Sequence, residues 1–345
     1  MSLRIGRDVL NLRKAPRLGH TEYCSNWALI EKVSGLPKDD PRAMPVFRER
    51  FEFDFGWLTS HGPVSWAERG RVTDMGHAEW LADGSDRRDT IHCPFASVED
   101  VYAFDAVKEY GLPDFAGLVD YYQETWRTNQ KLFSETVMPG GYYRTIVSGA
   151  IAAFGWDMLL EAAADADRFD RVLDSIFRLS LHHYKAWAKT DIEFFISHDD
   201  MVWSQGAFMS PRFYRRSIFP RYRELWRVLK DAGKRVLFCS DANWSEFVDD
   251  IAAAGADGFI FEPMTALEPV VQKYGQTHVI ISSKVDCRTL TFGTKEGIRA
   301  EVDATLALAK PCPGFVFAVG NHIPSNVPVE NALFMFDYLR ERWGR

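Results

Sequence analysis

Residues 234–262 read KRVLFCSDANWSEFVDDIAAAGADGFIFE, and their pattern of apolar residues indicates the fold class. Two short apolar runs rich in Val, Phe and Ile, 235–239 and 258–261, flank a segment with helical spacing of apolar residues, 244–254. Short apolar runs of this kind are typical of buried strands. A strand, a helix and a second strand in succession predict two parallel strands joined by a crossover helix.

The same alternation continues on both sides of this unit. Further strands are predicted at 194–197, 279–283 and 315–319, and further helices at 212–232, 265–274, 295–308 and 329–342. Repeated strand and helix units form either a closed (β/α)8 barrel or an open doubly wound sheet. No GxGxxG or GxxxxGK[ST] loop follows any of these strands, so the usual nucleotide-binding signatures of the open sheet are missing. We therefore predict an α/β protein, a (β/α)8 TIM barrel with an N-terminal extension.

The N-terminal part of the chain lacks this alternating pattern, because Pro, Gly and Asp residues interrupt every short apolar run. We predict that residues 1–95 form a cap packed on a barrel of residues 96–345, with one structural domain overall. The cap is expected to hold short strands at 45–50 and 51–59 and a helix at 27–34 that ends at Gly35. Helices at 115–136, 150–164 and 166–189 should follow, after an N-cap at Ser97.

Composition excludes several classes of function. The 345 residues include 41 Lys and Arg against 48 Asp and Glu, a net charge of −7, which gives no basic field for nucleic acid or acidic membranes. The sequence contains no run of about 18 apolar residues, so no membrane span is predicted. Its first residues lack the apolar core of a signal peptide. Five cysteines without a CxxC pair do not suggest a disulfide framework. We expect a cytoplasmic protein, and its oligomeric state is left open.

Polar residues follow every predicted strand, at the place where parallel α/β folds keep their working groups. His198, Asp199, Glu262 and Asp286 are candidates for moving protons or orienting ligands. Asp200, Trp203, Gln205 and Asn243 are candidates for contacting a bound cofactor. If the barrel closes, Asp199, Asp241, Glu262, Asp286 and His322 should face one cavity. Each Asp that follows a strand could equally cap a helix.

A metal site is a further hypothesis. Cys239, Asp241 and His322 offer a thiolate, a carboxylate and an imidazole at strand ends, which is a donor set that suits Zn²⁺. The alternative is that Cys239 is a packed core residue, that Asp241 is a cap and that the pocket takes an organic ligand. Aromatic residues make up 14% of the chain, which fits either an aromatic-walled pocket or ordinary packing.

Several motifs carry a resemblance to a known family. They are Asp199-Asp200-Met201-Val202-Trp203-Ser204-Gln205, Met209-Ser210-Pro211, Lys234-Arg235-Val236-Leu237-Phe238, Val285-Asp286, Ile323-Pro324 through Pro328, and Glu330-Asn331. With these, residues 95 to 345 resemble the uroporphyrinogen decarboxylase superfamily. That superfamily contains decarboxylases of haem biosynthesis and cobalamin-dependent methyltransferases, which pass methyl groups between corrinoid proteins and thiols, all on (β/α)8 barrels.

The resemblance favours the methyltransferase-like branch. Decarboxylases of the family carry an arginine-rich N-terminal motif that binds the substrate carboxylates, and residues 20–35 contain no arginine. Asp54 falls near the aspartate with which those enzymes stabilise their pyrrole intermediate. The resemblance therefore implies an enzyme of methyl transfer. The alternatives are uroporphyrinogen decarboxylation, or a corrinoid- or tetrapyrrole-binding barrel with altered chemistry.

The same branch implies a cofactor and partners. Its members hold Zn with an H-x-C pair after one strand and a cysteine near the last strand; here the pair reads Cys239-x-Asp241, and Asn321 stands at the late position with His322 beside it. The resemblance thus implies Zn held by Cys239, Asp241 and His322. It also implies a small methyl donor or a tetrapyrrole as ligand, and a corrinoid supplied by a partner protein.

Overall fold

A parallel sheet forms the centre of the molecule in the computed structural model, which describes residues 2–64, 66, 79–83, 85, 87 and 93–345. Within these residues the strands run in the order β1-β7-β6-β5-β4-β3-β2. All neighbouring strands are parallel. The strands are β1 Gly19–His20, β2 Gly140–Tyr142, β3 Phe194–His198, β4 Arg235–Cys239, β5 Gly258–Ile260, β6 Val279–Ser282 and β7 Phe315–Phe317.

Residues 54–60 close the sheet between β1 and β2. The backbone N–H of Asp54 donates to the carbonyl of His20 at 2.8 Å, and the N–H of Ser60 donates to the carbonyl of Gly141 at 3.1 Å. Isolated parallel bridges at Phe55 and Ser60 join the same segment to Val137 and Tyr142. The seven strands and this segment together make a closed barrel of eight extended segments. The predicted (β/α)8 barrel is confirmed.

Helices surround the barrel, and the first three of them lie in the N-terminal part of the chain. The α-helices are α1 Ser2–Leu10, α2 Trp27–Ser34, α3 Ala43–Arg50, α4 Val98–Ala103, α5 Ala106–Tyr110, α6 Phe115–Leu132, α7 Val147–Phe154, α8 Trp156–Ala163, α9 Ala166–Trp187, α10 Pro211–Phe213, α11 Phe219–Asp231, α12 Val248–Ala254, α13 Leu267–Tyr274, α14 Cys287–Phe292, α15 Lys295–Ala309 and α16 Val329–Arg342. A π-helical turn, Tyr214–Ile218, precedes α11, and a 3₁₀ turn, Ser245–Phe247, precedes α12.

Most predicted elements are confirmed to within a few residues. The helix at 27–34 ends at Gly35, which has a positive φ of 68°. Ser97 caps α4 through a reciprocal pair of hydrogen bonds with Asp100. The predicted helix 150–164 is wrong as a single element, because Gly155 separates α7 from α8.

The predicted strand at 45–50 is wrong, since these residues lie in the helix α3. Phe47 is fully buried there and packs edge-on against Phe51 and Phe53, and this contact with the core outweighs the β preference of Val46 and Phe47. The second predicted strand, 51–59, contributes the closing segment of the wall instead of a regular ladder.

The N-terminal region contributes directly to the barrel. Residues 19–20 and 54–60 are two of the eight extended segments of the barrel, although both lie in the predicted extension 1–95. Part of that extension, residues 65, 67–78, 84, 86 and 88–92, lies outside the described residues. The proposed boundary between extension and barrel at residue 95 stays a prediction.

The barrel interior is apolar at one end and polar at the other. Inward residues of the strands, such as Ile196, Leu237 and Ile281, form one cluster with Ile5 and Val9 of α1. Helix α1 therefore covers the N-terminal ends of the strands, which leaves the C-terminal ends for the polar residues. Among the residues that the structure describes, no helix has the length and apolar character needed to cross a membrane.

Candidate active site

Three acidic and imidazole side chains meet at the C-terminal ends of β3 and β4. His198 is the last residue of β3, Asp200 follows it by two positions, and Asp241 follows the end of β4 by two. One potential ligand atom from each of the three lies within 4.8 Å of the others. His198 and Asp200 are buried, and Asp241 is partly buried. We call His198, Asp200 and Asp241 the acidic triad.

Hydrogen bonds fix Asp200 at the centre of the acidic triad. Its Oδ1 lies 3.1 Å from His198 Nε2 and accepts the backbone N–H of Asp241 at 3.0 Å. Its Oδ2 accepts the hydroxyl of Tyr143 at 3.0 Å, and its own backbone N–H donates to Ser148 Oγ at 2.7 Å. His198 Nδ1 is buried and has no hydrogen-bond partner in the part of the chain described. One ring nitrogen of His198 is therefore free to bind a ligand.

The carboxyl groups of the site perturb one another. Burial, together with the charges of Asp200 and Glu262, raises the pKa of Asp241 well above its ordinary value. Burial is the largest single effect on the pKa of Asp200 and raises it, but the charge and hydrogen bond of His198 together with the hydrogen bonds from Asp241 and Tyr143 lower the pKa below its ordinary value. Burial raises the pKa of Glu262, and the charges of Asp286 and Asp200 act in the same direction. A divalent cation would offset this repulsion, since cations favour ionised carboxylates.

The structure does not bring together the three predicted zinc ligands. Cys239 belongs to the apolar interior of the barrel, and burial raises the pKa of its thiol well above the ordinary value. His322 Nδ1 bonds to Asn321 Oδ1 at 2.9 Å, and its ring lies against Tyr23 at 5.6 Å between centroids. Asp241 joins the acidic triad instead, so Cys239 and His322 lie outside the group of possible ligands found among the described residues.

Asn321 reaches Asp241 in place of His322. Its Nδ2 donates to Asp241 Oδ2 at 3.1 Å, which leaves its Oδ1 to face His322. Asn321 thus links the end of β7 to the end of β4.

Two predicted catalytic aspartates cap helices. Asp199 is fully buried and accepts the backbone N–H groups of residues 146–148 at the start of α7, together with the hydroxyl of Tyr222 at 2.5 Å. Burial raises the pKa of Asp199 to about 6, while these donors act in the opposite direction. Asp286 is the N-cap of α14 and accepts the backbone N–H of Arg288 at 2.7 Å. Neither carboxylate belongs to the acidic triad.

Glu262 lies near the acidic triad, on the loop after β5. Its Oε1 accepts the backbone N–H of Ala242, the residue that follows Asp241. This contact ties the loop after β4 to the loop after β5.

The predicted cofactor-contacting residues other than Asp200 form the outer edge of the site. Trp203 and Gln205 are exposed, and Trp203 pairs with Gly206 in a tight turn. Asn243 Oδ1 accepts the backbone N–H of Ser245, the first residue of the 3₁₀ turn, at 3.2 Å. Trp203 is 45% exposed and Tyr23 is 48% exposed, so two large aromatic side chains face solvent on loops after β3 and β1.

Tyr143 and Asn321 are site residues that we did not predict as such. Tyr143 follows β2, whose sequence Gly140-Gly141-Tyr142 is too short and too rich in glycine to indicate a strand. Asn321 follows β7 directly, and its position after a predicted strand was a usable signal.

Comparisons with known proteins agree on one family. The family model "Uroporphyrinogen decarboxylase (URO-D)" matches residues 90–342. The chain is 29% identical over 133 residues to uroporphyrinogen decarboxylase of Carboxydothermus hydrogenoformans, covering 39% of this chain and 37% of that protein. It is 27% identical over 172 residues to the enzyme of Syntrophotalea carbinolica, covering 50% of this chain and 48% of that protein. The matches therefore span less than half the length of either curated relative.

A solved structure shows the same fold over the whole chain. A methyltransferase from Methanosarcina mazei superposes with a TM-score of 0.66 and 16% identity, covering 99% of this chain and 98% of that one. At that identity the likeness establishes the fold. The family model matches residues 90–342 of this 345-residue chain, which is more than half of it. The chain therefore belongs to the uroporphyrinogen decarboxylase family.

Proposed function

We propose that this protein is a methyltransferase that binds a divalent metal ion, such as Zn²⁺, at the acidic triad. It would transfer a methyl group from a small methylated donor to a thiol, or to a corrinoid supplied by a partner protein. The observation that carries this proposal is the convergence of His198, Asp200 and Asp241 at the C-terminal ends of the strands. The name of the full-length structural neighbour supports the same class of reaction.

The residues of the acidic triad fit a metal ion. One imidazole and two carboxylates form a donor set that catalytic Zn²⁺ accepts, with positions left for substrate. His198 Nε2 is the ring nitrogen that faces Asp200 Oδ1, at 3.1 Å, and the raised pKa of Asp241 fits the same interpretation. A bound Zn²⁺ would supply Lewis-acid chemistry to the thiol or to the heteroatom that carries the methyl group.

The remaining site residues have roles that follow from their contacts. In methyl transfer the bond between the methyl carbon and its heteroatom breaks, the acceptor forms a new bond to that carbon, and the heteroatom leaves with the electron pair and takes up a proton. Glu262 is suited to take up that proton, because it lies beside the acidic triad and burial raises its pKa. Tyr143 and Ser148 orient Asp200 through the hydrogen bonds described above.

The aromatic side chains at the outer edge fit a large flat ligand. Tyr23 lies 6.1 Å from Trp57 between ring centroids, and Trp203 is exposed on the loop after β3. Exposed aromatic rings supply apolar contact area for a planar macrocycle. We propose that a corrinoid or its protein approaches this edge.

Uroporphyrinogen decarboxylation is the second candidate, and the names of the curated relatives favour it. The contacts of Asp54 oppose it. Both of its oxygens are bound by Arg17, at 2.5 and 2.9 Å, and one also accepts the backbone N–H of His20 at 2.9 Å. A fully buried carboxylate with these partners is not available to a pyrrole intermediate. The absence of arginine from residues 20–35 acts in the same direction.

Metal binding provides the first test. The chelator-treated protein is titrated with Zn²⁺ by calorimetry, and we expect one site per chain. His198→Ala and Asp241→Asn should abolish that site, whereas Cys239→Ala and His322→Ala should retain it. Loss of zinc in the Cys239 and His322 variants, with retention in His198→Ala, would restore the ligand set predicted from the sequence and overturn the acidic triad.

The reaction provides the second test. A panel of O-, N- and S-methylated compounds is incubated with zinc-loaded protein and cob(I)alamin, and methylcobalamin is followed by its visible absorption. Uroporphyrinogen III is assayed in parallel for release of CO₂. We expect methylcobalamin with at least one donor, and none with His198→Ala. Decarboxylation without methyl transfer would establish the second candidate.

A further inference from the structure

A buried guanidinium without an acidic partner lies beside the candidate active site. Arg144 is two residues beyond β2 and only 7% exposed. Its Nη1 donates to the carbonyls of His61 and Val64, both at 3.3 Å, and no Asp or Glu among the described residues forms an ion pair with it. Burial lowers the pKa of Arg144. Proteins normally compensate a buried charge, because removing it from water is costly.

Two tyrosine hydroxyls near Arg144 are also unpaired. Tyr110 and Tyr142 are 5% and 0% exposed, and neither hydroxyl has a hydrogen-bond partner in the described structure. Burial raises the pKa of both hydroxyls, and the charge of Arg144 acts to lower it with a smaller effect. Buried hydroxyls are rarely left without a partner, so each of them indicates a missing acceptor.

An aromatic ring joins these groups into one cluster. The guanidinium of Arg144 lies 4.4 Å from the ring centroid of Trp66, and the same ring stacks on Tyr110 at 4.1 Å. Tyr142 is the last residue of β2 and stands two residues before Arg144. The cluster of Tyr110, Tyr142 and Arg144 therefore offers one positive charge and two hydroxyl donors, with no acidic acceptor of its own.

We propose that Arg144, Tyr110 and Tyr142 form a binding subsite for a carboxylate. A guanidinium binds a carboxylate through paired N–H donors, and hydroxyl groups complete its coordination. The same donors would serve as a specificity element, because a neutral ligand would leave the buried charge unpaired.

The position of this subsite connects it to the acidic triad. Tyr143, the residue before Arg144, donates its hydroxyl to Asp200, and its ring lies 4.5 Å from that of His198. The ring of His61, whose carbonyl binds Arg144, lies 5.2 Å from the ring of Tyr143. We assign the subsite to the carboxylate of a methylated carboxylic acid whose methyl end faces the acidic triad. This assignment rests on the proposed methyl transfer, whereas the anion site itself does not.

Anion binding is measured on metal-free protein, so that the result is independent of turnover. The unfolding temperature is recorded against acetate concentration at constant ionic strength, with chloride as the reference anion. A ligand that binds only the folded protein raises this temperature with concentration. We expect a rise with acetate for the wild type and none for Arg144→Gln. A wild-type response to acetate no larger than that to chloride would overturn the subsite.

Tyr142→Phe keeps the proposal testable if Arg144→Gln does not fold. Without acetate this variant should be as stable as the wild type or more so, because a buried unpaired hydroxyl has been removed. Its affinity for acetate should fall about tenfold, the loss expected for one hydrogen bond to a charged group. Tyr102→Phe, whose hydroxyl binds the carbonyl of Ala162, is the matched control and should keep the wild-type response. Equal acetate affinity in Tyr142→Phe and the wild type would contradict the proposal.

The source of the carboxylate is decided by a matched pair of probes, methoxyacetate and methoxyacetamide. We expect the acid to bind the wild type at least tenfold more tightly than the amide, and this preference to shrink in Tyr142→Phe and to disappear in Arg144→Gln. Binding of acetate without binding of methoxyacetate would show a site for a free small carboxylate and overturn the link to a methyl donor. If methoxyacetate binds but no donor of the methylated panel yields methylcobalamin, the proposed function is contradicted and the carboxylate subsite stands.

Discussion

Glu262 Oε1 accepts the backbone N–H of Ala242 at 2.5 Å, and Ala242 has a positive φ of 67°. A left-handed conformation costs a non-glycine residue about 1 kcal/mol, so the surrounding contacts must hold it in place. Thr265 Oγ1 adds a second hydrogen bond, at 2.8 Å, to the carbonyl of the same residue. The loop after β5 therefore imposes the backbone turn that places Asp241 in the acidic triad.

Glu262 has a positioning role that can be separated from any role in proton transfer. Glu262→Gln keeps an oxygen acceptor for Ala242, so we expect zinc affinity close to that of the wild type and a loss of turnover. Glu262→Ala removes the acceptor, and zinc affinity should fall by about 10- to 100-fold, as for other supports of metal ligands. Calorimetric titration with Zn²⁺ measures both variants.

A second substitution distinguishes this role from direct metal binding. Ala242→Gly allows the positive φ at no steric cost. In the Glu262→Ala background it should therefore restore most of the zinc affinity without restoring turnover. If glycine gives no recovery, Glu262 acts on the metal or substrate directly, and the positioning role is wrong.

Asp199 is expected to matter for stability, because its carboxylate satisfies the first backbone N–H groups of α7 and the hydroxyl of Tyr222. Asp199→Ala leaves several buried donors without an acceptor and should lower the free energy of unfolding by more than about 2 kcal/mol. Asp286→Ala removes a cap from a partly exposed helix start and should cost only about 1 kcal/mol. Urea denaturation compares the two. An Asp199→Ala variant with unchanged stability and no activity would instead support the catalytic role predicted from the sequence.

Closure of the barrel depends on the lack of a side chain at Gly141. A Cβ there would stand 2.1 Å from the carbonyl oxygen of Leu58, a backbone atom of the closing segment. Gly141→Ala should therefore lower the free energy of unfolding by about 1–3 kcal/mol. Gly297→Ala is the control, since its Cβ would come no closer than 3.8 Å to any neighbour and alanine favours the helix α15. Equal stability of the two variants in urea would show that the closing segment moves aside freely.

The sequence predicts the second half of the barrel well because each strand from β3 to β7 is a run of apolar residues followed by a polar one. β1 and β2 contain only two and three residues, with glycine in both, so local pattern could not reveal them. The closing segment 54–60 makes its hydrogen bonds to residues distant in sequence, such as Val137 and Gly141. Such segments take their extended conformation from hydrogen bonds to distant parts of the barrel more than from the local β propensity of their residues.

The site was predicted in location more than in detail. In parallel α/β folds, functional residues follow the C-terminal ends of the strands. This rule places His198, Asp200, Asp241 and Glu262 at one end of the barrel. It could not separate Asp199 from Asp200, because adjacent residues point to opposite faces and the register of β3 decides which one faces the interior. Residue type is the basis for choosing Cys239 and His322 as ligands. In the structure Cys239 lies in the apolar interior of the barrel, and the ring of His322 bonds to Asn321.

His183 should make the fold sensitive to acid. It is buried between helices and the wall, stacks on Tyr142 and shares a 2.7 Å hydrogen bond with the hydroxyl of Tyr122. Burial lowers the pKa of His183 to about 3, and the charges of His182 and Arg144 act in the same direction.

Because the folded-state pKa of His183 lies below the unfolded value of about 6.5, the unfolded chain binds more protons as the pH falls from about 6.5 towards 3. Stability contributed by the neutral ring is thus complete above pH 6.5 and about 2 kcal/mol smaller at pH 5. In His183→Asn the difference in unfolding free energy between pH 8 and pH 5 should shrink by about that amount. His182→Gln, at the partly exposed neighbouring position, keeps the His183 ring and should retain most of the wild-type difference. Urea denaturation at the two pH values gives the comparison, and an unchanged pH difference in His183→Asn would mean that His183 is already protonated in the folded protein.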